Sequence, residues 1–222
     1  IGTYDRQDLA ANSNGVYNIQ TIINGSRNFE IDFKRFSFDE TKHINQLIDY
    51  EHFSAKKQRI QKLFRKNNPL SLFKSTLNDG VIKVEDSTYS IYKIRVADYK
   101  NNESWVTVHI KGAKNNTVKP KEEKVTPYFI RANQTTDLKE GIVSVDFYKD
   151  TFYDDFYLDF EVKNDTLKLH KDVKAAKKNF TITYDISKYS NEDKNKLYIA
   201  RLVGYKNYAS YTYTKRKDHL LI

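Results

Sequence analysis

The histidines are the residues of this chain with the widest capacity for metal and proton chemistry. There are five of them: His43, His52, His109, His170 and His219. Zinc sites usually take two nitrogens from one short element, spaced H-x-H or H-E-x-x-H, because one helix or strand must direct both at one ion. Neither spacing occurs, and His43 and His52 would converge only across a broken helix. The sequence predicts no metal ligand here, and it predicts that His109, in a strand pattern, faces solvent.

An acidic stretch, DFYKDTFYDDFYLDFEVKND at residues 146–165, is the second candidate for ion binding. It lacks the D-x-D-x-D-G order that places oxygens around one calcium ion. Asp159 and Glu161 are therefore predicted to lie on a solvated strand face, and Asp154, Asp155 and Asp165 in turns. The G-x-S-x-G motif of nucleophilic catalysis is absent, and the chain has no Cys and seven Gly. We predict no catalytic, cofactor-binding or metal-binding residue in these 222 residues.

Tyrosines interleaved with basic residues form a third candidate, YKNYASYTYTKRK at residues 205–217. Such side chains stack on sugars or bases, although strand tyrosines more often only cover a sheet. The net charge of +9 attracts nucleic acid, anionic lipid or an anionic cell wall. No run of consecutive basic residues is longer than Lys215-Arg216-Lys217, however. The net charge is therefore the single observation in favour of nucleic acid, and we predict no nucleic-acid partner.

These residues must be positioned by strands, because the chain has 17 Tyr and 13 Phe with few Gly and Pro. Asn24-Gly25 is the dipeptide typical of a two-residue hairpin turn. After it, Phe29, Ile31 and Phe33 alternate with charged residues, which predicts a strand with one apolar face. Strands are also predicted at residues 89–96 and 105–110, joined by the polar turn at residues 98–102.

A helical insertion is predicted between these strands. Ser37-x-x-Glu40 fits a capping box, and Ile44, Leu47, Ile60 and Leu63 follow at helical spacing. We therefore predict that residues 39–66 are largely helical, with a break near residues 49–54.

The predicted fold is all-β: two immunoglobulin-like β-sandwich domains, the first carrying the helical insertion. The first domain is predicted at residues 1–112, a polar linker at 113–125, and the second at 126–222. Strands are predicted in the second domain at residues 142–148, 156–162, 166–170, 180–186 and 197–203. Each end of the chain reads like the interior of a domain, so we expect the sequence to be the middle of a longer protein, with the second domain truncated.

Residues 5–64, 67–74 and 78–112 resemble the segment that follows the catalytic domain in large lysostaphin-type zinc metallopeptidases (peptidase family M twenty-three) of Gram-negative envelopes. Residues 167–202 resemble the next section of those proteins. The resemblance includes the irregular stretches FSFDETKHINQLIDY and RIQKLF at residues 36–50 and 59–64. The zinc motifs of that family, H-x-x-x-D and H-x-H, are missing here, so no catalytic residue is transferred.

This resemblance implies a non-catalytic tandem β-sandwich that serves as spacer and docking surface of a peptidoglycan metalloendopeptidase. Zinc is expected in a catalytic domain preceding Ile1. The implied partners are that domain, further C-terminal domains, peptidoglycan and subunits of an outer-membrane protein complex. The implied location is the periplasm or outer membrane. The alternative is a cell-wall or carbohydrate-binding module with the Tyr-rich strands as its platform.

Overall fold

The computed structural model describes residues 1–6, 13–114, 123–204 and 208–222. The chain divides into two compact units: a first unit of Ile1–Glu122 with Asp172–Ala175, and a second unit of Glu123–Lys171 with Ala176–Ile222. Strands account for 40% of the described residues and helices for 12%. The expectation of an all-β, sandwich-like fold with a small helical part is confirmed. The predicted linker, residues 113–125, includes residues 115–122, which lie outside the described part.

The first unit is built on a five-stranded antiparallel sheet. Its elements are β1 (Asp5–Arg6), β2 (Ser13–Asn14), β3 (Asn18–Ile23), β4 (Ser26–Asp32), a 3-10 helix (Phe38–Glu40), α1 (Thr41–Leu47), α2 (Tyr50–Lys56), β5 (Phe73–Thr76), a turn (Leu77–Gly80), β6 (Tyr89–Ala97) and β7 (Glu103–Lys111). The strand order is β5-β4-β3-β6-β7, and β1 pairs with β2 separately.

The predicted hairpin at Asn24-Gly25 is confirmed. The turn joins β3 to β4, with φ of 47° at Asn24 and 86° at Gly25. Positive φ at both central residues suits the right-handed twist of the paired strands. Phe29 and Ile31 of β4 are fully buried, as the alternation predicts. They share one core with Leu47 of α1 and with further residues of the sheet and of the chain before β5: Ile19, Leu70, Leu72 and Ile94.

The predicted helix over residues 39–66 is partly wrong. The capping-box start is confirmed, since the Ser37 N–H donates to Glu40 Oε2 at 2.9 Å. The break falls at residues 48–49, and α2 occupies the stretch predicted to be broken. Lys57 then adopts a left-handed conformation, which ends α2, and residues 58–69 contain no helix.

Long-range pairing explains this difference. The Gln61 N–H donates to Ile1 O at 2.7 Å, and the Asp49 N–H donates to Ile60 O at 2.8 Å. Ile48 and Gln61 form an antiparallel bridge. The backbone around residue 61 therefore lies between two extended partners, which satisfy the amides that a helix would otherwise use.

The second unit packs several short sheets around one aromatic core. Its elements are β8 (Tyr128–Ile130), β9 (Thr136–Glu140), β10 (Val143–Phe147), β11 (Phe156–Leu158), β12 (Phe160–Lys163), β13 (Thr166–Leu169), β14 (Thr181–Asp185), α3 (Asn191–Lys194), β15 (Ala200–Val203), β16 (Tyr208–Tyr211), β17 (Arg216–Lys217) and β18 (Leu220–Leu221). The largest sheet has the order β17-β18-β14-β10-β9, and the pairs β8-β11, β12-β13 and β15-β16 are separate.

The core of the second unit joins side chains of two layers. Val143, Val145 and Phe147 come from the five-stranded sheet. Facing residues come from β8, β11, β12 and the bend before β11: Ile130, Phe152, Phe156, Leu158 and Phe160. The alternation from residue 156 to 162 is as predicted, but the strand is interrupted at Asp159, whose N–H donates to His170 Nδ1 at 3.1 Å instead of joining a ladder.

Candidate functional site

The structure gives the histidines separate surroundings. His109 lies exposed in β7, as predicted. His170 is partly buried, accepts the Asp159 N–H and packs against Phe156 with ring centroids 5.2 Å apart. His52 lies in α2, 3.3 Å from the side chain of Gln58. Across the residues that the structure describes, no three His, Cys, Asp or Glu side chains cluster in a way that could hold a metal ion.

The acidic stretch is used for separate structural bonds. Asp155 Oδ1 accepts the Ala132 N–H at 2.8 Å, and Glu161 lies 3.7 Å from the ammonium of Lys168. Asp159 is bonded by Lys124, whose ammonium lowers the pKa of the Asp159 carboxyl. Asp165, the last residue of this stretch, borders a pocket.

That pocket lies in the second unit and has a volume of about 130 Å³. Three tyrosines, Tyr184, Tyr189 and Tyr198, line it together with Asp165. The other lining residues are mostly apolar: Ile142, Ile186, Leu197, Ile199, Ala200 and Leu221. Sites for drug-sized ligands usually measure about 300–1,000 Å³, so this one fits a single residue-sized group.

Asp165 is the polar anchor of the pocket. It occupies the turn between β12 and β13, as predicted, and the Tyr189 hydroxyl donates to its Oδ2 at 2.6 Å. Lys188 donates to Oδ1 at 3.0 Å. The Tyr189 hydrogen bond and then the Lys188 ammonium hold the pKa of the Asp165 carboxyl below its ordinary value of 3.8. The pocket therefore presents a carboxylate that stays ionised at neutral pH.

Replacing Tyr189 with phenylalanine should raise the pKa of Asp165, because the largest stabilising hydrogen bond to the ionised form is lost. In the wild type the folded-state pKa is depressed, so this contribution to stability is complete above the ordinary value of 3.8 and is lost as the pH falls through the folded value. Carbon-detected NMR titration of the Asp165 carboxyl in the two proteins tests this. An unchanged pKa in Tyr189→Phe would contradict the assignment.

An exposed tyrosine surface adjoins the pocket. We call Tyr198 and Tyr211 the tyrosine platform. Tyr198 and Tyr211 pack with ring centroids 5.0 Å apart and are 53% and 73% exposed. A hydrogen bond between the two raises the pKa of Tyr198. Because Ala200 lies directly opposite Tyr211, both on one face of the β15-β16 hairpin, the platform is continuous with the rim of the pocket.

Side-chain hydrogen bonds outside the ladder position the hairpin. The Ile199 N–H donates to the Thr214 hydroxyl at 3.0 Å, and the Thr212 hydroxyl donates to Ile199 O at 2.9 Å. Arg216 donates to Leu197 O at 2.7 Å. The Tyr-rich stretch singled out in the sequence thus supplies part of the platform. Its first three residues, 205–207, lie outside the described residues.

Sequence reasoning missed the pocket itself. Asp165, Tyr189 and Tyr198 stand far apart along the chain, and no motif links them. Only the density of aromatic residues pointed to this unit.

The helices that the structure describes include none with the length and apolarity to cross a bilayer.

Comparison with known proteins bears on the second unit. A family model described as a Zu5-like domain matches residues 127–219. This stretch contains the tyrosine platform and all of the pocket except Leu221. No curated protein and no solved structure matches the chain. The matched description names no peptidase, so the metallopeptidase parent stays a prediction.

Proposed function

We propose that this chain is a non-catalytic accessory segment that serves as spacer and docking surface of a cell-envelope peptidoglycan metalloendopeptidase. The observation that carries the docking role is the tyrosine platform beside a pocket with an ionised carboxylate. Large aromatic faces left in solvent together with a concave, partly polar site are typical of a binding surface. The peptidase parent rests on the resemblance of residues 5–112 and 167–202, and its zinc would belong to another domain.

The chemistry of the surface fits a cell-wall polymer. Tyrosine rings offer flat apolar faces to sugar rings, and Asp165 offers oxygens to hydroxyl or amide groups. Lys215, Arg216 and Lys217 follow the hairpin and are exposed. Together with the net charge of +9, they favour approach to an anionic wall through long-range attraction.

Binding to intact peptidoglycan sacculi tests this role. We expect saturable retention of the purified chain that persists at about 0.5 M salt, where the Debye length is only a few ångströms and charge attraction is largely screened. If retention disappears with salt, attraction by net charge alone explains it, and docking through the platform is contradicted.

A substitution locates the binding surface. Tyr198→Ala should weaken retention on sacculi by on the order of 10-fold, because truncating an aromatic anchor at the centre of an interface costs more than about 1 kcal/mol and about 1.4 kcal/mol is tenfold. Tyr148→Ala is the matched control, since Tyr148 lies in the same unit and is 49% exposed, close to the 53% of Tyr198. Equal affinity of Tyr198→Ala and Tyr148→Ala would exclude the platform as the binding surface.

Incubation of the chain with peptidoglycan and zinc should release no new peptide ends.

The second candidate is a cell-wall or carbohydrate-binding module with no peptidase parent, which the packed pair Tyr198 and Tyr211 equally favours. The two candidates differ in what precedes Ile1. H-x-x-x-D and H-x-H motifs in the upstream coding sequence would support the peptidase parent, and an unrelated upstream domain would support the second candidate.

A further inference from the structure

Strand β7 forms one edge of the five-stranded sheet of the first unit. It pairs with β6 over nine consecutive residues, from Glu103 opposite Ala97 to Lys111 opposite Tyr89, with no bulge. Its other side pairs with none of the described strands. The opposite edge, β5, has only four residues. Long, regular edges are the ones that accept a further strand.

The free hydrogen-bonding groups of β7 can be assigned. The Gly112 N–H donates to Thr88 O at 2.8 Å, and the Asp98 N–H donates to Asn102 O at 3.1 Å. In an antiparallel pair the bonded positions recur every two residues. The even-numbered residues of β7 are therefore bonded to β6, and the N–H and C=O groups of the odd-numbered residues point outward: Glu103, Trp105, Thr107, His109 and Lys111.

This edge lacks the features that usually protect an edge strand. Its sequence, ESWVTVHIK, has no proline and no charge between its two end residues. Trp105, Val106 and Val108 are 49%, 46% and 40% exposed, on opposite faces of the sheet. A partner strand would cover apolar surface on each face while it satisfies the outward amides.

We propose that two copies of this chain form a two-fold symmetric dimer in which their β7 strands pair antiparallel, with Thr107 opposite Thr107. This register places all five outward-facing residues opposite outward-facing residues, so each facing pair exchanges two backbone hydrogen bonds. The result is one sheet that runs continuously through both copies.

The side chains of β7 are complementary to themselves in this register. At each end Glu103 faces Lys111 of the second copy, so opposite charges meet. Trp105 faces His109 on the same side of the sheet. On the other side Val106 faces Val108, and Ser104 faces Ile110. Moving the two-fold axis to Trp105 or His109 loses the two ion pairs and leaves two of the five outward-facing residues of each copy unpaired.

The test is the oligomeric state at several concentrations. A single strand pair buries less than a standard interface of about 1,600 Å², so we expect a weak dimer. Sedimentation velocity should show monomer at about 1 µM and mainly dimer at about 500 µM. At the higher concentration, amide hydrogen exchange should slow at Trp105, Thr107 and His109. A monomer throughout this range would overturn the proposal.

Two substitutions separate strand pairing from other association. Thr107→Pro removes an outward N–H but none of the bonds to β6, so it should abolish the dimer and keep the far-ultraviolet circular dichroism of the fold. Lys111→Glu should weaken the dimer on the order of 10-fold, since Glu103 then faces a like charge. Lys74→Glu on the opposite edge is the control for the charge change and should have no effect.

A double substitution tests the register. Glu103→Gln combined with Lys111→Glu removes the like charge across the axis and should recover dimerisation relative to Lys111→Glu alone. The amide oxygen still accepts from Arg95 or from the Trp105 indole N–H, which both bond Glu103 in the wild type. Dimerisation that is unchanged in Thr107→Pro, or that Lys74→Glu weakens as much as Lys111→Glu does, would place the interface elsewhere and overturn the proposal.

Discussion

Gly80→Ala is expected to lower the free energy of unfolding of the first unit by about 3–4 kcal/mol. This loss is the sum of two costs: that of a side chain on a left-handed backbone and that of overpacking the core. Gly80 has a φ of 80°, which disfavours any side chain. A Cβ there would also lie 2.6 Å from Leu63 O and 2.9 Å from Cδ2 of the fully buried Phe29. The carbonyl of Gly80 accepts the side-chain amide of Asn28 at 3.1 Å, so the backbone has little room to move.

Gly25→Ala is the matched control, because Gly25 has a similar φ of 86° but no atom within 4 Å of the added Cβ. It should cost only about 1 kcal/mol, the penalty of the backbone conformation. Denaturant unfolding followed by fluorescence measures both, since the single tryptophan, Trp105, lies in the first unit. Equal losses of unfolding free energy in the two variants would show that the close contacts around Gly80 add nothing to the cost of the substitution.

Phe147→Ala is expected to destabilise the second unit by about 3–5 kcal/mol, the usual cost of emptying a large aromatic site in a core. Phe147 is 1% exposed and packs against Phe152 and Phe180, with ring centroids 5.3 and 5.0 Å away. Those rings come from other segments, so the cavity cannot close without moving backbone.

Amide hydrogen exchange of β10 measures this effect. Protection of the Val143 and Val145 amides should fall by a factor of 100 or more, since about 1.4 kcal/mol corresponds to tenfold in an equilibrium constant. The neighbouring Tyr148→Ala removes a half-exposed ring and should change protection by less than tenfold. Comparable losses in the two variants would contradict the assignment of Phe147 to the centre of the core.

Local sequence patterns predicted several elements correctly. The turn at Asn24-Gly25 and the alternation in β4 need only neighbouring residues, because backbone sterics and a two-residue period determine them. The turn between β6 and β7 is similar: the Asp98 carboxylate accepts the N–H groups of Lys100 and Asn102 at 2.8 Å each. His109 is exposed as predicted, but Val106 and Val108 on the other face are exposed as well, because β7 lies at a sheet edge.

The errors arose where distant residues supply the hydrogen-bond partners. Ile60 and Leu63 have helical spacing, yet the backbone beside them pairs with Ile1 and Asp49. The interruption at Asp159 depends on His170, eleven residues later. A local window contains neither partner, so it assigns these segments by propensity alone.

The sequence by itself determined that the chain is β-rich, where its tightest turns lie and which faces of its strands are apolar, because these properties depend on residues close together in the chain. Only the tertiary structure decided that Asp165, Tyr189 and Tyr198 surround one pocket and that β7 lies at a sheet edge with its odd-numbered amides free. The meeting of these three side chains at one pocket and the position of β7 at a sheet edge both depend on which distant segments pair. That pairing exists only in the assembled sheets.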